Sequence, residues 1–508
     1  MATRTEGVHP ALHALYTRYK QGSMEPTTKE LSAIIATVAK DLNSAFLVLD
    51  AMDECSKADD VFRHLALLKD NLCIAVTSRY KAESSYGVTL HIHLDYVNHG
   101  FHQDVGRYLQ EKLSHRKLKP ELLTEIVNCL TEGAQGQFRW VDCQVNVLQQ
   151  CATPKAFRDA LKKLPKTLEE TYTAAIDRLK QSEHLDDGVQ LLMWLAYAFK
   201  PLSIAQVTEI LAVDLVAQTF DPDARSLELE NRSYDILDST LITVNPREKV
   251  VQLAHNSVKE FLTQIQGQSH LSKLVEINEH LAHSTICQTC LIYLLQFDSL
   301  QVYAFKDEYP LARYAAEFWP VHMKSLQNGL SEKEKAKDLA LALLKDSSKP
   351  HYVNSIKIHA PDHTYDIQNY NPYLNPTNIS SPLYYLACHG LQSIAEYLLL
   401  ENMADVNDAK GGRLGTALHA AAYRENIEFV QILLEHKADV KAQGGCYGNA
   451  LQAAAFVGSK VIVQMLLDHK ADVDVQGGEY GSALHAASIH GHEDIVQLLL
   501  EHQALQFH

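Results

Sequence analysis

The chain reads as a multidomain protein of three unlike parts: an α/β segment near its start, a helical middle that includes a β-hairpin, and an all-α solenoid at the far end. Three observations carry this division. FLVLDAMDEC at 46–55 is an apolar run that ends in carboxylates, as a buried parallel strand would. Capped helix starts and two short β runs follow between about 160 and 265. A 33-residue period then marks the last stretch.

Bulk properties bound the answer. At 508 residues the chain has room for roughly three or four domains. With 46% hydrophobic and 21% charged residues it is able to bury sizeable cores. A formal net charge of −16 argues against a general nucleic-acid or anionic-membrane binder. No apolar run approaches the ~18 residues of a membrane span, and MATRTEGVHPALHAL at 1–15 lacks the apolar core of a secretory signal. Nine scattered cysteines, an odd number, fit a reducing compartment, so a cytoplasmic location is expected.

In the first part, Asp50 closes the apolar strand and an acidic pair, Asp53 and Glu54, follows. Carboxylates at a strand's carboxyl end suit a Mg²⁺–nucleotide site: Asp50 would hold the metal, and Asp53 or Glu54 would orient the attacking water. A second run, LCIAVTS at 72–78, ends in Arg79, as a neighbouring strand with a phosphate sensor would. The Gly-rich loop G-x-x-x-x-G-K-[ST] that cradles phosphates occurs nowhere in the chain. Half of a nucleotide site is legible.

The middle opens on three expected capping boxes, Thr167 with Glu170, Ser203 with Gln206, and Ser257 with Glu260. TLITVN at 240–245 and KVVQLA at 249–254 flank a turn. Helices followed by a hairpin describe a winged helix. The helix at 204–211, which would read DNA, carries no Arg or Lys for phosphate contacts, so DNA binding is not expected. Residues 270–345 read as helical. His280, His283, Cys287 and Cys290 share helical spacing and could suggest zinc, but they sit in a strongly apolar helix where cysteine packs as a small hydrophobe. Four prolines across 346–380 read as a loose connector.

TALHAAA at 416–422, NALQAAA at 449–455 and SALHAAS at 482–488 repeat every 33 residues, each followed by an apolar helix. A degenerate fourth copy, SPLYYLA, stands at 381–387. The pattern resembles the ankyrin repeat, in which the histidine position, here Tyr384, His419, Gln452 and His485, braces a turn. That resemblance implies an ankyrin solenoid that binds a protein partner, and 381–508 is expected to fold by itself.

Taken in order, FLVLDAMDEC, AVTSR at 75–79, GQFRWVDCQ at 136–144, LPKTLEETY at 164–172, FKPLSIAQVTEIL at 199–211, QLAHNSVKEFL at 252–262 and PLARYAAEFWPVH at 310–322 resemble the NACHT family of signal-transducing NTPases, in the fungal form that carries ankyrin repeats. The resemblance implies a partial α/β P-loop NTPase core, without its phosphate loop, over 1–160, a helical and winged-helix domain over 161–265, a helical connector over 266–345, a linker over 346–380 and the repeats over 381–508. It assigns Asp50 to the Mg²⁺-associated aspartate, Asp53 and Glu54 to the acidic pair, and Arg79 to the sensor. His255 would be the winged-helix histidine that touches the β-phosphate of ADP. Its local alternative is a boundary histidine that satisfies nearby backbone groups.

Without the phosphate loop, the expectation is a receptor-like protein that neither binds ATP tightly nor hydrolyses it, with ATP or ADP and Mg²⁺ held only if such a loop is supplied. Two alternatives stay open: a passive ankyrin adaptor derived from such a receptor, or a fragment of an active ATPase whose loop lies upstream of Met1. The residues at 9–15 look like family interior and favour a missing segment. Self-association is a further expectation.

Overall fold

The computed structural model describes residues 9–18, 28–40, 46–49, 61–63, 73–77, 100–116, 118–134, 136–225, 236–245, 247–264, 277–298, 308–326, 330–360, 379–409 and 411–506. Contacts divide the chain into two units, residues 1–96 with 363–368, and residues 97–362 with 369–508. Residues 97–160, which the sequence groups with the strands, therefore belong to the second unit. Among the described residues no helix is long and apolar enough to cross a membrane.

The first unit holds helices α1 (Pro10–Arg18) and α2 (Thr28–Lys40) and strands β1 (Phe46–Leu49) and β2 (Cys73–Val76). The strands pair in parallel, Phe46 opposite Cys73 through Leu49 opposite Val76, and the Thr77 N–H donates to the Leu49 carbonyl at 2.9 Å. Parallel pairing is as expected, but burial on both faces is not observed. Phe46 is 72% and Val48 67% exposed, whereas Leu47 and Leu49 are half-buried. The four-residue apolar run is covered on one face.

The second unit opens with α3 (Gly100–Leu113), α4 (Pro120–Ala134), α5 (Phe138–Gln149) and α6 (Pro154–Leu161), which enclose a core of their own around Leu109, Ile126, Leu130, Trp140 and Leu148. Then come α7 (Leu168–Lys180), α8 (Leu185–Tyr197), β3 (Leu202–Ser203), α9 (Ile204–Leu211), β4 (Val213–Asp214), β5 (Thr219–Phe220), β6 (Ile242–Asn245), β7 (Val250–Leu253) and α10 (Asn256–Gln264). A three-stranded antiparallel sheet in the order β3-β7-β6 leans on α8 to α10, the winged-helix arrangement. Ser203 and Gln206 form the full capping box expected of them, at 2.9 and 3.2 Å. Thr167 caps Glu170, whereas the Glu170 carboxylate accepts from the Lys166 N–H, one residue earlier than the box requires.

Helix α11 (Glu279–Leu295) is buried over nearly its whole surface by α12 (Ala312–Lys324), α13 (Leu330–Leu344) and α8. Cys287 and Cys290 are fully buried there, and burial pushes both thiols well up, with neighbouring Cys287 adding to the rise at Cys290. They pack as the apolar groups their helix suggested. The segment read as a loose connector holds a helix, α14 (Pro350–Ile358). Pro350 is its first residue, where a missing N–H costs no hydrogen bond. Tyr352, Val353 and Ile356 then anchor it in the core.

The repeats supply α15 (Pro382–His389), α16 (Gln392–Leu400), α17 (Ala417–Tyr423), α18 (Ile427–Glu435), α19 (Ala450–Val457), α20 (Lys460–Asp468), α21 (Ala483–Ile489) and α22 (Glu493–Gln506). The first helices of successive pairs pack more closely than the second ones, because alanine lines their shared faces. That asymmetry bends the stack toward α15, α17, α19 and α21. The hairpin tips bond to each other: the Cys446 N–H donates to the Arg413 carbonyl at 2.9 Å and the Glu479 N–H to the Cys446 carbonyl at 2.8 Å. So close an approach leaves no room for a side chain at Gly445, where a Cβ would lie 2.1 Å from the Leu414 oxygen.

The histidine position braces as expected even where it is not histidine. His419 accepts from the Thr416 N–H at 2.9 Å and its Nε2 lies 3.0 Å from the Ala442 carbonyl. Gln452 donates to the Gly481 carbonyl at 2.9 Å, and the Tyr384 hydroxyl accepts from the Leu414 N–H at 3.1 Å. The repeats do not begin a separate body, however. Tyr385 stacks on Trp319 with ring centres 5.9 Å apart, and the Tyr352 hydroxyl donates to the Ser380 carbonyl at 2.8 Å. One apolar core runs from α7 through α22. Cutting at 381 would strip the cover from Tyr385, which revises the expectation of a self-sufficient 381–508.

Candidate functional site

Of the residues singled out by sequence, Asp50, Asp53, Glu54 and Arg79 lie outside the described residues. His255 is described. It is exposed at the junction of β7 and α10, where its Nδ1 accepts from the Ser257 N–H at 3.1 Å and lies 2.8 Å from the Ser257 hydroxyl oxygen. Because Nδ1 accepts, the neutral ring carries its proton on Nε2, an assignment inferred from these bonds. The histidine thus serves a backbone group at the helix start. The capping box expected of Ser257 and Glu260 is not made, since Ser257 turns away and Glu260 faces the Asn256 amide at 3.4 Å.

Ser257 leads inward. Its hydroxyl lies 2.8 Å from the Tyr172 hydroxyl of α7, and Tyr172 adjoins the Arg139 guanidinium of α5. Burial raises the Tyr172 phenol, while its bonds to Ser257 and Arg139 pull the other way. Arg139 donates to the Thr240 carbonyl at 2.8 Å and is paired with Asp142, whose carboxylate also accepts from the Tyr108 hydroxyl of α3. A continuous polar chain therefore runs His255–Ser257–Tyr172–Arg139–Asp142–Tyr108. It crosses from the winged helix to the separately cored bundle of α3 to α6. Arg139 and Asp142 stand in GQFRWVDCQ, but their spacing did not reveal partners on two other elements.

Two more buried polar groups escaped the sequence. Glu209 of α9 is only 3% exposed, with Arg225 Nε 2.6 Å from Oε1 and the Tyr293 hydroxyl donating to Oε2. The helix that would read DNA is thereby pinned inward. In α11 and α12, His283 Nδ1 lies 2.7 Å from His322 Nδ1, and the Tyr314 hydroxyl 3.0 Å from His322 Nε2. Burial, then neighbouring His283, lowers His322 to about 3.

His255 by itself does not make a nucleotide site. Nδ1 of His255 is committed to Ser257, which leaves one ring nitrogen, and a single N–H cannot neutralise a pyrophosphate.

Comparison with known proteins agrees with this geometry. A family model described as ankyrin repeats matches residues 351–444 and 418–506 in three copies. One described as GPI inositol-deacylase, winged helix domain, matches residues 177–272, which contain β3, α9, the β6–β7 hairpin and His255. The chain is also 33% identical over 304 residues to azaphilone pigments biosynthesis cluster protein L of Monascus ruber, an alignment that covers 55% of this chain and 61% of that protein. It spans less than two thirds of that relative's length. A winged helix and a C-terminal ankyrin stack, carried on a mostly helical chain, are thus established.

Arg139→Ala leaves the Thr240 carbonyl and Asp142 without their cation and is expected to cost about 2–4 kcal/mol. Tyr172→Phe should cost about 0.5–1.5 kcal/mol. Urea unfolding followed by tryptophan fluorescence reads both, since Trp140, Trp194 and Trp319 all lie in the second unit. An Arg139→Ala midpoint equal to the parent's would break the chain at its centre.

The buried imidazole makes stability depend on pH. His322 binds its proton more weakly folded than unfolded, so the stability it allows is full above pH ~6.5 and is lost as the pH falls toward about 3. The same urea series at pH 7.5, 6 and 5 should lose stability with a slope of up to ~1.4 kcal/mol per pH unit from this group. His322→Gln should flatten that slope, and parallel slopes in parent and variant would refute the assignment.

Proposed function

We propose that this protein is a NACHT-type signal-transducing protein that recognises a protein partner through its ankyrin repeats and passes the event to its winged helix. The observation that carries the proposal is the single apolar core from α7 to α22, since among the described residues packed side chains connect the repeats to α10, the helix that follows His255. The match to the winged-helix model supports it, as does the polar chain that ties His255 to the bundle around Trp140. On this proposal the strand ending in Asp50, the pair Asp53 and Glu54, and Arg79 are the nucleotide-facing half of a core, and His255 is the phosphate contact of its resting state when a phosphate loop is present.

A second reading, a passive ankyrin adaptor, is favoured by one observation: the sequence G-x-x-x-x-G-K-[ST] occurs nowhere in the given chain. Titration of the protein with Mg²⁺–ATP and Mg²⁺–ADP separates the two. The chain as it stands should show no micromolar binding, and micromolar binding lost in Asp50→Ala would eliminate the passive adaptor.

Partner recognition is tested by affinity capture with paired variants. Arg424→Ala with Ile489→Ala truncates exposed ends of the first helices, whereas Gln431→Ala with Gln497→Ala truncates exposed positions of the second helices, neither pair adding charge. A protein held by the concave side should be lost with the first pair and retained with the second. Equal capture by both pairs would remove the repeats as the recognition surface.

A further inference from the structure

Along the inner side of the repeats the rings form a ladder. Tyr423 stacks on Tyr447 at 5.0 Å and on Phe456 at 6.1 Å, Tyr447 on Tyr480 at 6.2 Å, and Phe456 meets Tyr480 at 5.1 Å and His490 at 4.4 Å. Two columns compose it. Leu414, Tyr447 and Tyr480 occupy one position of successive hairpins, and Tyr423, Phe456 and Ile489 one position at the ends of successive first helices. The hairpin column is sequestered at Tyr447, but Tyr423, Phe456 and Tyr480 are half-buried and Ile489 is 56% exposed. Ring surface thus stays accessible at Tyr423, Phe456 and Tyr480.

The charge around the ladder is lopsided. Residues 381–508 hold 15 Asp and Glu against seven Lys and Arg. Residues 471–508 hold six acids and no Lys or Arg, and among them Glu479 is exposed on the hairpin tip beside Tyr480. At the other end, Arg424 already lies over the Tyr423 ring at 5.7 Å, so these ring faces accept a guanidinium. The steps of 6.1 and 6.2 Å along the columns match alternate residues of an extended chain, which lie about 6.6 Å apart.

Resting on the proposal that the repeats recognise a protein, we infer that the occupant of this ladder is an extended, basic segment of that partner, with Arg or Lys at alternate positions. Its cations lie over Phe456 and Tyr480, toward the acidic end. Arginine is preferred to lysine, because its planar guanidinium stacks on a ring face. Negative potential draws the segment in, and the rings fix its register.

The probe is a fluorescein-labelled octapeptide of alternating Arg and Ser, with a Glu–Ser peptide as control, titrated with the full chain by fluorescence anisotropy. The Arg peptide should bind and the Glu peptide should not. Phe456→Leu with Tyr480→Leu keeps the charge and an apolar side chain, and should weaken binding about fivefold to thirtyfold, as loss of two cation–π contacts implies. Glu479→Lys, at an exposed position of the hairpin tip, should weaken it several-fold. Binding unchanged in the Leu double variant means bulk charge attraction alone and overturns the ladder, as does failure of the Arg peptide to bind or equal binding of the Glu peptide. If the ladder fails while capture still depends on Arg424 and Ile489, the basic segment is wrong and protein recognition stands. Failure of both removes both.

Discussion

A stack of repeats has two apolar ends, and the first must be covered before the rest can hold. Here Trp319 and Ala316 of α12 and Tyr352 of α14 cover it, through the ring stack on Tyr385, the Tyr385 hydroxyl 3.5 Å from the Ala316 carbonyl, and the Tyr352 bond to Ser380. Each later pair rests on the one before it, so this junction supports the whole solenoid. It also determines what the protein can do, because it makes the recognition surface and the winged helix parts of one packed body instead of beads on a string. Interior packing transmits displacement where a flexible linker would absorb it.

The parts legible in the sequence were those with a short period or a local rule. The 33-residue repeat gave the helix pairs and their glycine tips, and the Ser203–Gln206 box was visible because its two partners are three residues apart. The bracing position could be read through substitution, since Tyr384 and Gln452 need only a polar atom at the same reach as His419. Errors arose where a local rule met a tertiary competitor. Ser257 obeys the capping pattern, yet its hydroxyl is taken by Tyr172, 85 residues away. Proline density argued for a connector at 346–380, but proline at a helix's first residue forbids nothing, and α14 follows.

The candidate site shows the same division more sharply. His255 could be picked out by sequence, but the groups behind it could not. Tyr172, Arg139, Asp142 and Tyr108 come from three helices, and no spacing along the chain announces that they meet. The Glu209–Arg225–Tyr293 group and the His283–His322 pair are equally silent, because each joins elements far apart in sequence. Buried polar groups are costly unless partnered, so each such cluster indicates an arrangement that the fold must reproduce to be stable.

That cost bears on how the protein could switch. Polar chains that are fully satisfied hold one geometry, and losing any member leaves a buried group without a partner. The chain from His255 to Tyr108 comes close to this, with Arg139 Nε as its one buried atom lacking a bond among the described residues, and it spans a seam where two described apolar cores face each other, one around Trp140 and one from α7 onward. Apolar packing alone would tolerate small slippage across that seam. A guanidinium bonded at once to Asp142 and to the Thr240 carbonyl does not, since both directions are fixed. On the proposed signalling role, the Arg139 bonds are the ones that must break before the two cores can slide past each other, and His255 would then leave the geometry described for it.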